Sequence, residues 1–205
     1  MRNIILASKS KDRKKLLERI GITFKIIISD VKEEKFKKEI TNSSKLVQKL
    51  AKAKALNVKE KVNSQNMDSY VIIAADTIVE FRGKLIGKAD NEEQAFNTLK
   101  MLSGKTHNLI TGIAITNGAV PCITDFDKTK VKFNKLTDNE IWNYIKTNEW
   151  KGRAGCYSLN EKASLFTEEI IGSPSNVIGL PMHKIYKILK NEFNLNLMNN
   201  KIIET

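Results

Sequence analysis

The sequence predicts an α/β fold, with a mixed central sheet flanked by helices. Three observations predict it. Short apolar runs of β type, "NIILA", "TFKIIIS" and "SYVIIAADTIVEF", alternate with segments rich in helix formers. Gly and Asn stand at the boundaries between them. The second half adds an antiparallel pair, so there is no strict βαβ repeat. The chain has 205 residues with no internal repeat and no clear linker, so residues 1–205 read as a single domain.

The elements follow in order. "NIILA" (3–7) is a short buried strand. "SKDRKKLLERIG" is a helix with Ser10 as N-cap, an apolar face of Leu16, Leu17 and Ile20, and Gly21 just past its end. "TFKIIIS" is a second strand. Residues 43–62 lack Gly and Pro and form a long helix. "SYVIIAADTIVEF" is the most apolar run and the expected central strand. "EFRGKLIGK" turns back as a hairpin near Arg82-Gly83. "NEEQAFNTLKMLSG" is a helix capped by Asp90 or Asn91 and stopped near Gly104. "NLITGIAIT" and "TDFDKTKVKF" pair across a turn at Asn117-Gly118. "TDNEIWNYIKTN" opens with Thr137 and Glu140 in capping-box spacing. "EWKGRAGCYSLNEKA" is loop-like, "SLFTEEIIG" is a strand, and "GLPMHKIYKILKNEF" is a helix with Pro181 in its first turn. The tail from Asn194 is polar and expected to fray.

Composition excludes several classes. Hydrophobic residues make up 41% of the chain, which argues against overall disorder. No apolar run approaches the ~18 residues of a membrane span. The stretch Ile4 to Ala7 is too short for a secretion signal, and a cytoplasmic location is expected. Cys122 and Cys156 offer neither a disulfide framework nor a metal spacing, and read as small apolar fillers. The formal net charge is +12, which favours an anionic partner. Lysines are spread along the chain without interleaved aromatics. No specific nucleic acid is therefore expected.

Three charged residues conflict with their surroundings. At about 100° per residue, Arg13 falls on the face of Leu16, Leu17 and Ile20, while Lys14 and Lys15 point away. Its fork should lie at the sheet edge, beside a helix N-terminus suited to an anion. The long helix repeats the pattern. Val47, Leu50, Ala51 and Val58 share one face with Lys54 in its middle, and Lys52 faces nearly the opposite way. An ammonium in an apolar stripe must snorkel out or meet an anion. Asp76 closes the apolar run of "VIIAAD", where a carboxylate suits the end of a central strand in an α/β site. It could bind a divalent cation or polarise a water. Asp30, Glu33 and Glu34 add carboxylates after the second strand. His107 and His183 are too few for a histidine metal site and read as incidental. No glycine-rich phosphate loop is present. Carboxylates for a hard cation beside cations for an anion fit phosphoryl or nucleotidyl hydrolysis better than acyl transfer.

In order along the chain stand "LASKSKDRKKLL", "SDVKEE", "LAKAKA", "AADTIV", Gly87-Lys88, "LSGKTH", "TGIAI", "EWKGRAGCY" and "NVIGLP". With these pieces in register, from about Asn3 to Phe193, the sequence resembles the Maf family of nucleoside triphosphate pyrophosphatases. The resemblance implies a Maf/ITPase-like fold, with an elongated mixed sheet and two lobes around a cleft. It implies cleavage between the α- and β-phosphates of a nucleoside triphosphate, with Mg²⁺ or Mn²⁺ as cofactor. A homodimer without membrane partners is the family expectation, as is a role in arrest of cell division. Asp76 aligns with the family's catalytic aspartate, its proton acceptor, and with Glu33 forms the implied metal pair. Lys54 and Lys88 match cleft lysines of the catalytic set. Ser8, Ser10 and Arg13 fall in the phosphate-binding motif. Thr77 fits the subgroup acting on dTTP and UTP and argues against the subgroup acting on 7-methyl-GTP. Asp12 stands where that first subgroup has arginine, a departure from the pattern, and Asn160 stands where it has glutamine; Asn160 and Thr77 belong with Ser8, Ser10 and Arg13 to the implied substrate-binding set. Modified nucleotides are the other substrates implied. The competing readings are a catalytically weak nucleic-acid-binding or division-regulating protein, and a general phosphatase.

Overall fold

A computed structural model gives the structure, which describes residues 3–64 and 70–199. The chain runs β1 (Asn3–Leu6), α1 (Lys11–Arg19), β2 (Phe24–Ile26), α2 (Glu34–Glu39), α3 (Ser43–Ser64), β3 (Tyr70–Phe81) and β4 (Lys84–Ile86). It continues through α4 (Glu92–Leu102), β5 (Thr106–Thr116), β6 (Ile123–Phe133), α5 (Asp138–Ile145), β7 (Thr167–Ile171), α6 (Pro174–Ile178) and α7 (Met182–Phe193). The strands form one sheet in the order β2-β1-β3-β5-β6-β7, with β4 also paired to β3. β1 lies parallel to both neighbours, with Ile5 opposite Lys25 and Ile72. β4 and β7 run antiparallel to β3 and β6, so the sheet is mixed, as the sequence predicts. The hairpin into β4 turns through Arg82 (φ 50°) and Gly83 (φ 75°), the pair of left-handed residues a two-residue turn requires. Among the described residues no helix is long and apolar enough to cross a membrane.

Two compact units divide the chain. The first comprises residues 1–76, 111–126 and 179–205; the second comprises residues 77–110 and 127–178. In the first, α3 buries Leu46, Val47, Leu50, Ala51, Ala55, Val58 and Val62 completely. Ala51, Ala55, Val58 and Val62 cluster with Ile5, Ile72, Ala74 and Ala114 of the strands and with Ala7 just past β1. Small residues on both sides bring helix and sheet close. Fully burying one Leu or Val is worth about 1.5–3 kcal/mol, so packing rather than propensity holds the helix. The second unit has its own core, in which Leu99, Leu102, Val131, Phe133, Ile141 and Ile145 are fully buried. Thr137 and Glu140 form the expected capping box on α5, and Asn91 is the cap of α4. Cys156 is buried in this core and Cys122 packs partly against the first, both as free thiols.

Several expectations need correcting. "TFKIIIS" yields only the short β2, because Ile26 and Ile28 are 43% and 50% exposed at the sheet edge and the chain leaves the ladder after Ile27. The acidic stretch after it is partly helical: α2 carries Lys37 paired with Glu34 at 2.8 Å and with Glu33 at 3.6 Å. Ile20 is 48% exposed, so the apolar face of α1 ends at Leu17. β3 runs Tyr70–Phe81, as the run "SYVIIAADTIVEF" predicts, so Asp76 lies within the strand rather than at its carboxyl end. Ser69, at the head of the predicted strand, and residues 200–205 of the predicted tail lie outside the described residues.

His107 is structural rather than incidental. It is 2% exposed on β5, edge-on to Phe133 and Tyr157 at 4.8 and 5.5 Å. Its Nε2 meets the Tyr157 hydroxyl at 2.9 Å, and Nδ1 has no hydrogen-bond partner. Burial pushes its pKa down from 6.5 to about 4. The unfolded chain therefore binds more protons between those values, and stability falls as pH drops below 6.5, flattening under about 4. Urea unfolding should show about 2 kcal/mol lost between pH 7 and 5. His107→Gln should abolish that slope. An unchanged slope in the variant would assign the acid sensitivity to other groups.

Candidate active site

The predicted residues follow the carboxyl ends of β1 and β2, where α/β folds place their sites, while Asp76 lies within β3, three residues past the end of its parallel pairing with β1. β1 gives way to a turn built by two serines. Ala7 N–H donates to Ile73 O at 2.8 Å and extends the ladder by one bond. Ser8 Oγ accepts from Ser10 N–H at 3.2 Å, and Ser10 Oγ caps α1 by accepting from Arg13 N–H at 3.4 Å. Asp12 sits in the first turn of α1, a favourable place for a negative charge.

Arg13 is buried, as its helical face predicts, and Lys14 and Lys15 are exposed. Its Nη1 donates to Ser8 Oγ and to Ala75 O, each at 3.0 Å, and its Nε donates to Gly179 O at 2.9 Å. It thus ties the β1–α1 turn to β3 and to the segment before α7. Burial lowers the pKa of the guanidinium, and the charges of Asp76, Glu33 and Asp12 oppose that. The register of β1 on β3 runs out at Ile73, and Ala75 turns its carbonyl to Arg13 instead. Asp76 follows, only 7% exposed.

Lys54 resolves its conflict with the apolar stripe by meeting two anions. Its Nζ lies 2.6 Å from Asp76 Oδ1 and 2.7 Å from Glu33 Oε1. Its side chain is 14% exposed, and Lys52 faces solvent. α3 carries Lys54 in because its neighbours Ala51, Ala55 and Val58 are fully buried. Two carboxylates therefore converge on one ammonium close to a buried guanidinium. Glu33 stands just before α2, and Lys37 approaches its other oxygen.

The first unit thus brings together Ser8, Ser10, Arg13, Glu33, Lys54 and Asp76. Thr77, Lys88 and Asn160 belong to the second unit. Thr77 is half-buried on β3 directly after Asp76, and Lys88 is exposed just past β4. Asn160 lines a shallow groove with Leu159, Ser164, Thr167 and Ile170. Its loop is held by residues that sequence reasoning passed over. Arg153 pairs with Glu161 at 3.1 Å and donates to Glu149 O, and Glu149 Oε2 accepts from Lys162 N–H at 3.0 Å.

Among the described residues, no group of three or more His, Cys, Asp or Glu side chains could hold a metal ion alone. Glu33 and Asp76 present carboxylate oxygens, the donor type that hard divalent cations take, and one oxygen of each meets Lys54.

Buried cations, paired carboxylates and a helix N-terminus at parallel strand ends define an α/β enzyme suited to a phosphorylated substrate. The family model described as Maf-like protein matches residues 3–192, and the chain belongs to the Maf family. It is 41% identical over 199 residues to a protein of Alkaliphilus oremlandii (strain OhILAs) named dTTP/UTP pyrophosphatase, covering 97% of this chain and 100% of that one. A dTTP/UTP pyrophosphatase of Clostridium tetani (strain Massachusetts / E88) is 43% identical over 199 residues, covering 95% and 100%. Among solved structures the chain is similar to a HAM1 protein from Coxiella burnetii. The TM-score is 0.48 and the identity 12%, with 93% of this chain and 99% of that one covered.

Proposed function

We propose that this protein is a nucleoside triphosphate pyrophosphatase that acts on dTTP and UTP, releasing the monophosphate and pyrophosphate. The observation that carries the reading is the convergence of Asp76 and Glu33 on Lys54 beside buried Arg13. The full-length kinship with proteins named dTTP/UTP pyrophosphatases supports the base preference, as does Thr77. Hydrolysis breaks one P–O bond of the anhydride and forms another to a water oxygen. Asp76 takes the water's proton, in a position where Lys54 keeps it oriented. Lys54 offsets charge on the phosphates, and the Ser8–Ser10 turn of the same unit presents the start of α1 to them. Arg13 acts chiefly by holding that turn in place.

The family's divalent cation would be held by Glu33 and Asp76, and when bound would neutralise charge developing on phosphate oxygens. We assign it as Mg²⁺ or Mn²⁺ on the all-oxygen donor set.

The test is a panel of ordinary and modified triphosphates, incubated without coupling enzyme and resolved by phosphorus NMR. Pyrophosphate and the monophosphate, with dTTP and UTP turned over fastest, are the expected result. A nucleoside diphosphate with orthophosphate would overturn the assignment and restore the general-phosphatase reading.

A further inference from the structure

We propose that Asn57 and Lys61 are positioning residues that latch the segment 28–30 to α3 and so hold Glu33 beside Lys54 and Asp76. The proposal rests on the reading of Glu33 and Asp76 as the acidic pair of the reaction.

Between β2 and α2 the chain forms neither helix nor strand. At its entry Ile27 N–H donates to Leu6 O at 3.3 Å, and at its far end Glu33 Oε1 meets Lys54 Nζ at 2.7 Å. The stretch between those anchors is held by α3. Asn57 Oδ1 accepts from Asp30 N–H at 3.1 Å. Lys61 Nζ donates to Ile28 O at 2.8 Å and pairs with the Asp30 carboxylate. Ser29 Oγ accepts from Val31 N–H at 3.3 Å and shapes the bend.

Lys54, Asn57 and Lys61 follow one another at helical spacing along one edge of α3, beside the buried row of Leu50, Ala51, Val58 and Val62. They meet the segment in reverse order. Lys61 takes Ile28 and Asp30, Asn57 takes Asp30, and Lys54 takes Glu33. Asn57 and Lys61 each contact the backbone, so they fix its path whatever its side chains do. The ion pair alone would do little, since Asp30 is 74% exposed and Lys61 32%. Glu33 lies three residues beyond this clamp and on a half-exposed stretch with no buried anchor of its own in α2. Losing the clamp lets it leave the centre, and anything that needs Glu33 in place binds more weakly by the fraction of time it is absent.

The experiment uses the full chain with Asn57→Leu and Lys61→Met, alone and combined. Asn57→Asp, which keeps an acceptor, and Lys61→Arg, which keeps a donor, are the conservative controls. Amide exchange at Asp30 should speed up about tenfold in the combined variant, the size expected for two lost hydrogen bonds. Affinity for Mn²⁺ alone, read by electron paramagnetic resonance, should fall about tenfold and be restored in the conservative variants. In a Glu33→Gln background the latch variants should cause no further loss, because the residue they position is already gone. Unchanged Mn²⁺ affinity, or an equal loss with and without Glu33, would overturn the proposal. Failure of the parent protein to release pyrophosphate would refute the pyrophosphatase reading separately, leaving exchange and Mn²⁺ binding to judge the latch.

Discussion

Asp76→Asn is expected to lower turnover by about 10²–10⁴-fold while leaving nucleotide binding measurable. Asp76 is 7% exposed, and its Oδ1 receives Lys54 Nζ at 2.6 Å. Asparagine keeps the shape and can still accept that hydrogen bond. It loses the negative charge and the basic oxygen that would take a proton from water. Lys54 would keep Glu33 as its only charged partner of the two, so the ammonium stays inside the site. The contacts of Arg13 with Ser8, Ala75 and Gly179 do not involve the Asp76 side chain, so the β1–α1 turn should survive. Phosphate binding should therefore suffer less than chemistry. Single-turnover kinetics paired with calorimetric titration of a nonhydrolysable triphosphate separates the two. Retention of more than about a tenth of parental turnover would make Asp76 a structural residue.

Arg13, Lys54 and Asp76 were legible because each broke a pattern. A charge inside an apolar period has few explanations, and helical geometry alone places Arg13 and Lys54 on buried faces. Their contacts were less legible. The predicted phosphate fork of Arg13 is engaged in part with two carbonyls and a serine, and backbone acceptors leave no mark in a sequence. Asn57 and Lys61 look like ordinary surface residues, since their partners are main-chain atoms of a segment whose path no local propensity specifies. α2 escaped detection for the same reason: it spans Glu34–Glu39 and buries no residue, so it has no hydrophobic period to read. The long β3 was found but its length obscured the site. Its apolar run ends near Asp76, yet pairing with β4 carries the strand on to Phe81. Glu33 entered through the family resemblance, because an acidic loop is otherwise only a solvated one.

The largest effect on folding is expected at Gly112. This residue lies on β5 in the predicted strand "NLITGIAIT", with no positive φ to demand glycine. What demands it is proximity. A Cβ built there would lie 2.3 Å from the carbonyl carbon of Val47, 2.4 Å from its oxygen and 2.6 Å from Gln48 N. All three are backbone atoms of α3, which cannot rotate aside. A glycine inside a strand often marks such an approach. Gly112→Ala must push the helix off the sheet, yet Leu46, Val47, Leu50 and Ala51 around the contact are fully buried. Overpacking typically costs about 1–3 kcal/mol, and a clash with backbone should reach or exceed the upper end. Truncating Val47 to alanine should not rescue the variant, because its side chain is not the obstacle. Gly118→Ala is the control: its Cβ would meet only the Tyr70 hydroxyl, at an ordinary 3.8 Å. Because α3 also carries Lys54, Asn57 and Lys61, the molecules that still fold should lose activity beyond their share of the population. Urea unfolding of the three variants, with activity normalised to the folded fraction, checks both statements. A Gly112→Ala protein within about 1 kcal/mol of the parent, below the usual cost of overpacking, would mean that α3 does not lie against β5 as closely as the structure places it.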